Sequence, residues 1–152
     1  MKPWLIGEHN PYQKEDDAQA HERYALYPYP PQSSGARLAT ILGLTHREYR
    51  ERFVRRNLLV QSKWSVRQAR FAALGVVAAS EGAPLVLLGA RVAAAFGFAF
   101  EPFTILNPLG RDALVHGGGF RFAIIPHPSG LSRFWNEPHS YARARTTVLS
   151  LG

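Results

Sequence analysis

This sequence predicts a single α/β domain, a mostly parallel sheet covered by helices on both faces, and three observations carry that expectation. Four short apolar runs, "WLIG", "NLLV", "APLVLLG" and "FRFAIIP", read as buried strands. Stretches with helical spacing of apolar residues lie between them, so strands and helices alternate. At 152 residues and 46% hydrophobic content the chain suits one domain, 1–152, rather than two domains or a disordered segment.

The first strand, Trp4 to Gly7, ends in Gly and polar residues and feeds a long loop running from Glu8 through "YALYPYPPQSSG". Prolines at 28, 30 and 31 exclude regular structure there and hold Tyr24, Tyr27 and Tyr29 in an extended, semi-rigid segment. "SSGARLATILGL" restarts helical periodicity, with Ser33 or Ser34 as N-cap and Gly43 as the stop. A second helix follows at once, because Thr45 and Glu48 have capping-box spacing and Tyr49 and Phe53 form an i,i+4 apolar pair. The next strand is Asn57 to Val60, introduced by Arg55 and Arg56. Ser65 caps a helix from about Val66 to Ser80, with Phe71, Leu74 and Val77 or Ala78 as its apolar stripe. Ala83 to Gly89 is the clearest buried strand; "ARVAAAF" behind it is helical, and Gly97 ends it. From Phe98 to Gly119 the pattern is mixed, with turns at "LNPLGRD" and "HGGG". Phe120 to Pro126 is the last strand, and Pro138 suits the first turn of a closing helix, "EPHSYARARTTVLSL".

The net charge is +7, and with only Lys2, Lys14 and Lys63 among eighteen basic residues, fifteen are arginine. Arginine forks onto phosphate and stacks on flat groups, which makes nucleic acid the first partner to consider. An arginine-for-lysine bias of the whole proteome would give the same composition, and the Ala-rich stretch Ala90 to Ala99 fits it. No cysteine is present, which excludes disulfides, thiol catalysis, cysteine-ligated zinc and iron–sulfur clusters. The six histidines lack His-Glu-x-x-His or comparable spacing, so neither metal nor cofactor is expected. "HGGG" has no Gly-x-Ser-x-Gly elbow to serve, which argues against a serine hydrolase. No Gly-x-Gly-x-x-Gly follows the first strand and no Walker loop occurs, so nucleotide chemistry lacks its phosphate cradle. The apolar run in "MKPWLIGEHN" is too short for a signal segment and nothing is long enough to span a bilayer, so the expectation is a cytoplasmic protein with no membrane partner.

Parallel sheets bind ligands outside the carboxyl ends of their strands. Glu8, His9 and Asn10 leave the first strand, His127, Ser129 and Arg133 leave the last, and Asn57 lies between them in sequence. Each has a plainer reading: Asn10-Pro11 as a turn, Asn57 as a backbone cap, His127 as a satisfied loop histidine. If these ends share one rim, they bring carboxylate, amide and imidazole groups to one pocket.

These residues resemble motifs of the uracil-DNA glycosylase superfamily. "HPSGLSR", His127 to Arg133, is similar to the family's second motif, which reads His-Pro-Ser-Pro-Leu-Ser in the uracil-specific branch and Asn-Pro-Ser-Gly-Leu-Ser-Arg in the mismatch-specific branch. "GEHNPY", Gly7 to Tyr12, resembles the first motif, combining the Asn-Pro or Asp-Pro-Tyr core of those branches with the Gly-Glu start of others. "RRNLL" resembles the middle strand whose Asn reads the base, and "SSGARLATILGL" the segment after the pocket loop. The similarity runs through nearly the whole chain in family order. It departs at Asn10, where the most active branch has aspartate, and the absence of cysteine separates the chain from the iron–sulfur branches.

The resemblance implies a three-layer α/β/α sandwich with a central, mostly parallel four-stranded sheet, and a monomeric enzyme that excises a base from DNA, duplex or single-stranded. A base must leave the stack before its glycosidic bond can be reached. On this resemblance Leu131 is the apolar wedge that fills the gap, and Arg133 supports the distorted backbone. His127 stabilises the departing base anion. Asn10 or Glu8 handles the attacking water; the amide only orients it, whereas the carboxylate also accepts its proton. Asn57 reads the Watson–Crick edge, Tyr12 excludes a C5 methyl, and Tyr27 or Tyr29 stacks on the base. Ser33, Ser34, Gly35 and Ser129 contact phosphate, Gly130 lets the loop approach DNA, and Trp64, Trp135 and Asn136 border the rim. Neither motif carries a lysine for a Schiff base, so the enzyme is expected to be monofunctional. Uracil is the default substrate; a mismatched, deaminated or bulky modified base, including one that disguises phage DNA, stays open, and the last would make the enzyme defensive. The competing expectations are a non-catalytic relative that binds lesions or a partner protein, and a hydrolase of free nucleosides or nucleotides.

Overall fold

Alternation along the strands sorts the side chains into two apolar layers, one on each face of the sheet. Leu5, Val86, Leu88, Ala123 and Ile125 face one way; Ile6, Leu85, Leu87, Phe122 and Ile124 face the other, and all ten are fully buried. The structure, a computed structural model, describes residues 1–9, 25–59, 63–107, 121–129 and 132–151. In chain order the elements are β1 (Trp4–His9), α1 (Ser34–Ile41), α2 (His46–Arg52), β2 (Val54–Leu59), α3 (Val66–Ser80), β3 (Leu85–Leu88), α4 (Ala90–Ala95), β4 (Thr104–Leu106), β5 (Phe122–Ile125), a 3-10 turn (Arg133–Asn136) and α5 (Ser140–Leu149). The fold is α/β, with one mostly parallel sheet in the order β2-β1-β3-β5-β4 among the described residues. β1 pairs in parallel with β2 and β3, β3 pairs in parallel with β5, and β4 runs antiparallel to β5 at the edge.

Helices cover both faces. Leu38, Ala39, Leu42 and Tyr49 of the α1–α2 region and Val148 of α5 close the first layer; Ala69, Ala73, Val76 and Val77 of α3 and Val92 and Ala93 of α4 close the second. This is the arrangement of a three-layer α/β/α sandwich. Each fully buried Leu, Ile or Phe contributes about 1.5–3 kcal/mol by leaving water.

The expected helix starts are present. Ser33 caps α1, its Oγ accepting the Ala36 N–H at 3.1 Å, and Ser65 caps α3 through the Gln68 N–H at 3.3 Å. Thr45 and Glu48 form both arms of the capping box, at 3.2 and 2.8 Å. Tyr49 and Phe53 meet with ring centroids 5.9 Å apart. Gly43 and Gly97 follow the ends of α1 and α4.

Four expectations change. Among the described residues the sheet has five strands rather than four, because Thr104–Leu106 adds an edge strand that its three residues do not announce. β2 begins at Val54, so Arg55 and Arg56 lie within it; Arg56 covers the Trp4 ring at 5.2 Å, which lets a charged residue occupy a strand position. The apolar stripe of α3 is Ala69, Ala73, Val76 and Val77, while Phe71 and Leu74 face solvent at 78% and 47% exposure. The small residues let α3 lie close to the sheet. Pro138 stands before α5 rather than in its first turn, since the 3-10 turn ends at Asn136 and His139 is the N-cap. The expected strand residues Val60 and Phe120, the turn at "HGGG" and Tyr24 lie outside the described residues. No helix among the described residues is long and apolar enough to cross a membrane.

Candidate functional site

The parallel strands end along one edge, and polar residues from their carboxyl halves and the turns that follow meet there. β1 delivers Glu8 and His9, β2 delivers Asn57, and Pro126 turns the chain after β5 so that His127 follows. These residues line a cleft of about 420 Å³ whose other wall is the 26–35 segment. Of the expected site residues, Glu8, Asn57, His127, Tyr27, Tyr29, Ser33, Ser34 and Gly35 all line this cleft. Asn10, Tyr12, Gly130 and Leu131 lie outside the described residues.

Asn57 is 5% exposed and sits beside Gly7 in the β1–β2 register. A Cβ at position 7 would run into Asn57 Oδ1, so the missing side chain gives the amide its place above β1. The opposite wall depends on a second close approach. A Cβ at Gly35 would collide with the backbone carbonyls of Leu26 and Tyr27, so glycine lets the first turn of α1 pack directly on the cleft loop.

That loop is fastened from several sides. Leu26 has a left-handed φ of +52°, which costs a non-glycine residue about 1–3 kcal/mol and persists only where surroundings impose it. The buried Tyr49 hydroxyl donates to the Leu26 carbonyl at 3.0 Å, Arg55 donates to the Ala25 carbonyl at 3.3 Å, and Ser33 Oγ donates to the Tyr27 carbonyl at 3.1 Å. Burial pushes the Tyr49 phenol well above its ordinary range, so it remains a donor. The guanidinium groups of Arg50 and Arg55 lie 5.2 and 5.3 Å from the Tyr27 ring centroid, while Tyr29 is 69% exposed at the mouth. Ser33 therefore spends its hydroxyl on the α1 cap and the loop rather than offering it freely to phosphate.

His127 is half-buried, and its Nδ1 accepts the Ser129 N–H at 3.1 Å. In the neutral ring the proton then sits on Nε2, which makes Nε2–H the ring's donor. Burial pushes the imidazole below its ordinary value, the Glu8 charge opposes that shift, and His9 adds to it. Trp135 Nε1 donates to the His127 carbonyl at 2.7 Å, and its ring meets Phe103 and Tyr141 edge-on at 6.1 and 5.9 Å. Trp135 thus anchors the histidine loop, and with Asn136 it lines a depression beside Ser129 rather than the cleft.

Two expected contacts fall elsewhere. Ser129 lies outside the cleft in a shallow depression with Arg37, Ser132 and Trp135, and its backbone N–H is committed to His127. Arg133 opens the 3-10 turn and is exposed. The sequence reading did not single out Leu26, Gln32 or Arg91. Arg91 Nε approaches Glu8 Oε1 at 3.9 Å and its guanidinium lies 5.9 Å from the Trp64 ring centroid. Its one sequence signal is its place just after the strand end "LLG". Among the described residues no group of three or more His, Cys, Asp or Glu is placed to hold a metal ion.

The cleft therefore offers a carboxylate, a neutral imidazole with one ring donor, a buried amide with donor and acceptor, and aromatic walls. Compared with protein-family models and with curated proteins, the chain matches none.

Proposed function

We propose that this chain is a monofunctional DNA glycosylase of the uracil-DNA glycosylase superfamily, which turns a base out of DNA and hydrolyses its N-glycosidic bond to leave an abasic site. The observation that carries this reading is the convergence of Glu8, Asn57 and His127 on one cleft at the carboxyl edge of the sheet. Those residues come from the carboxyl halves of β1 and β2 and the turn after β5, the positions to which the motif resemblance assigns water activation, base reading and anion stabilisation.

The chemistry follows from the groups. A flipped base enters the cleft edge-first, and the Asn57 amide offers one donor and one acceptor to its Watson–Crick edge. As the bond between C1′ and the base nitrogen breaks, its electron pair leaves with the base and positive charge grows on the sugar. His127 Nε2–H donates to the base oxygen on which negative charge collects; a neutral donor does this without titrating against the anion. Water adds to C1′, and Glu8 accepts its proton. Asn10 remains the resemblance's alternative for orienting that water. Arg91 beside Glu8 holds the carboxylate in place. The N–H groups of Ser34 and Gly35, in the first turn of α1, have no intrahelical partners and suit a phosphate at the cleft wall.

Uracil is the proposed default base, and a mismatched, deaminated or modified base, including one that disguises phage DNA, is the alternative substrate. Labelled oligonucleotides carrying a panel of such bases, incubated with the protein and then treated with alkali, test the proposal. Strand scission at one or more bases is the expected result. Intact strands throughout, with DNA still bound, would make the chain a binding protein instead.

A further inference from the structure

We infer that the outer face of α3 is a second nucleic-acid contact, a track for single-stranded DNA leading away from the cleft; the inference rests on the reading of that cleft as a DNA site. Arg67, Arg70, Phe71 and Leu74 recur at i, i+3, i+4 and i+7 and share one helix face, opposite the buried Ala69, Ala73, Val76 and Val77. They line a surface groove, with Phe71 78% exposed. Neither Arg67 nor Arg70 is ion-paired among the described residues. An exposed aromatic ring on the same helix face as two guanidinium-bearing side chains is the combination that binds single strands: the ring stacks on an unpaired base and the cations take nearby phosphates.

The position of the groove ties it to the cleft. α3 begins directly after Trp64, on whose ring Arg91 lies, and Arg91 reaches Glu8 inside the cleft. Glu8, Arg91, Trp64 and the first turns of α3 thus follow one another along the carboxyl edge of the sheet. A second copy of the chain is a poor occupant, because a two-fold contact would set Arg67 and Arg70 against their own equivalents. Duplex DNA supplies phosphates but keeps its bases stacked, which leaves Phe71 without a partner. A strand opened around a flipped nucleotide supplies both.

Fluorescence anisotropy of the full chain with labelled, unmodified oligothymidine of about 20 nucleotides, across a salt series, tests the inference without requiring excision. Phe71→Ala should weaken binding about fivefold or more, the smaller end of what one stacked base contributes. Arg67→Gln with Arg70→Gln should reduce the slope of log K against log salt by about 1.4, the share of two phosphates on a single strand. Circular dichroism should be unchanged in both, since all three residues are exposed. Wild-type affinity and salt slope in both variants would overturn the inference. So would an acidic amphipathic peptide that binds this face, loses binding with Phe71→Ala and is not displaced by oligothymidine, which would make the groove a protein-docking site. If no base in the scission panel is excised but oligothymidine binding still depends on Phe71, the track stands and the glycosylase reading falls.

Discussion

Asn57 and Gly7 are register partners on adjacent parallel strands, and the Asn57 amide oxygen fills the space that a side chain at position 7 would need. The amide proposed to read the base and the glycine therefore form one device, built from paired positions of two adjacent strands.

Gly7→Ala should displace the amide while leaving the sheet intact, because the rest of β1 still pairs with β2 and β3. A misplacement of about 1 Å in a positioned group can cost about 100-fold in rate. Scission should fall by that order, and the loss should match that of Asn57→Ala. Denaturant unfolding should show a cost of about 1–3 kcal/mol for a buried polar group moved from its place. An active Gly7→Ala protein would remove Asn57 from the base-reading role.

His127 gives a pH prediction. Its folded value lies below the ordinary imidazole value of about 6.5, chiefly through burial. In the proposed reaction the neutral form is the donor, so the acid limb of the kcat/KM profile attributable to this group should lie below pH 6.5. The linkage has a definite sign. Just below pH 6.5 the unfolded chain binds the proton that the folded chain refuses, so this group makes stability fall as pH falls through that window and contributes a level term above it. His127→Gln should flatten that segment of the stability curve in urea titrations from pH 5 to 8. An unchanged slope would show that the group titrates alike in both states.

Much of the fold was legible because it is local. The caps at Ser33, Thr45 and Ser65, the four parallel strands and the polar strand ends are each set by a few adjacent residues, and the cleft forms where those ends meet. What was not legible depends on contacts distant in sequence or on shape. The three residues of β4 acquire a ladder only from β5. On α3, hydrophobicity favours Phe71 and Leu74, but closeness to the sheet selects Ala69 and Ala73, so the larger side chains turn outward. The Ser33 hydroxyl looks free for phosphate until the Tyr27 carbonyl, six residues earlier, is seen to accept its proton. Arg91 could be joined to Glu8 only once β1 and β3 were known to be neighbours.

The Tyr49 hydroxyl reaches across 23 residues to the Leu26 carbonyl and helps impose its left-handed backbone. Tyr49→Phe keeps the ring and removes only this bond, so stability should drop by about 1–2 kcal/mol in denaturant titration. Because Leu26 and Tyr27 line the cleft, KM for the oligonucleotide should rise more than kcat falls. A variant that loses stability with unaltered kinetics would confine the bond to a structural role.

The stretch "FWNEP" after "HPSGLSR" finds its use in Trp135, whose indole N–H donates to the His127 carbonyl at 2.7 Å while its ring is held edge-on by Phe103 and Tyr141. Trp135→Phe preserves an aromatic ring for those contacts and deletes the donor. A neutral hydrogen bond contributes about 1 kcal/mol to stability, so the fold should survive with a modest loss. The histidine loop, however, loses the tie that sets its carbonyl, and with it the angle of the imidazole. Single-turnover excision should slow by about tenfold with oligonucleotide affinity little changed, since the group acts on the position of His127 rather than on DNA. Weakened binding with unchanged single-turnover rate would instead assign Trp135 to the DNA-facing rim.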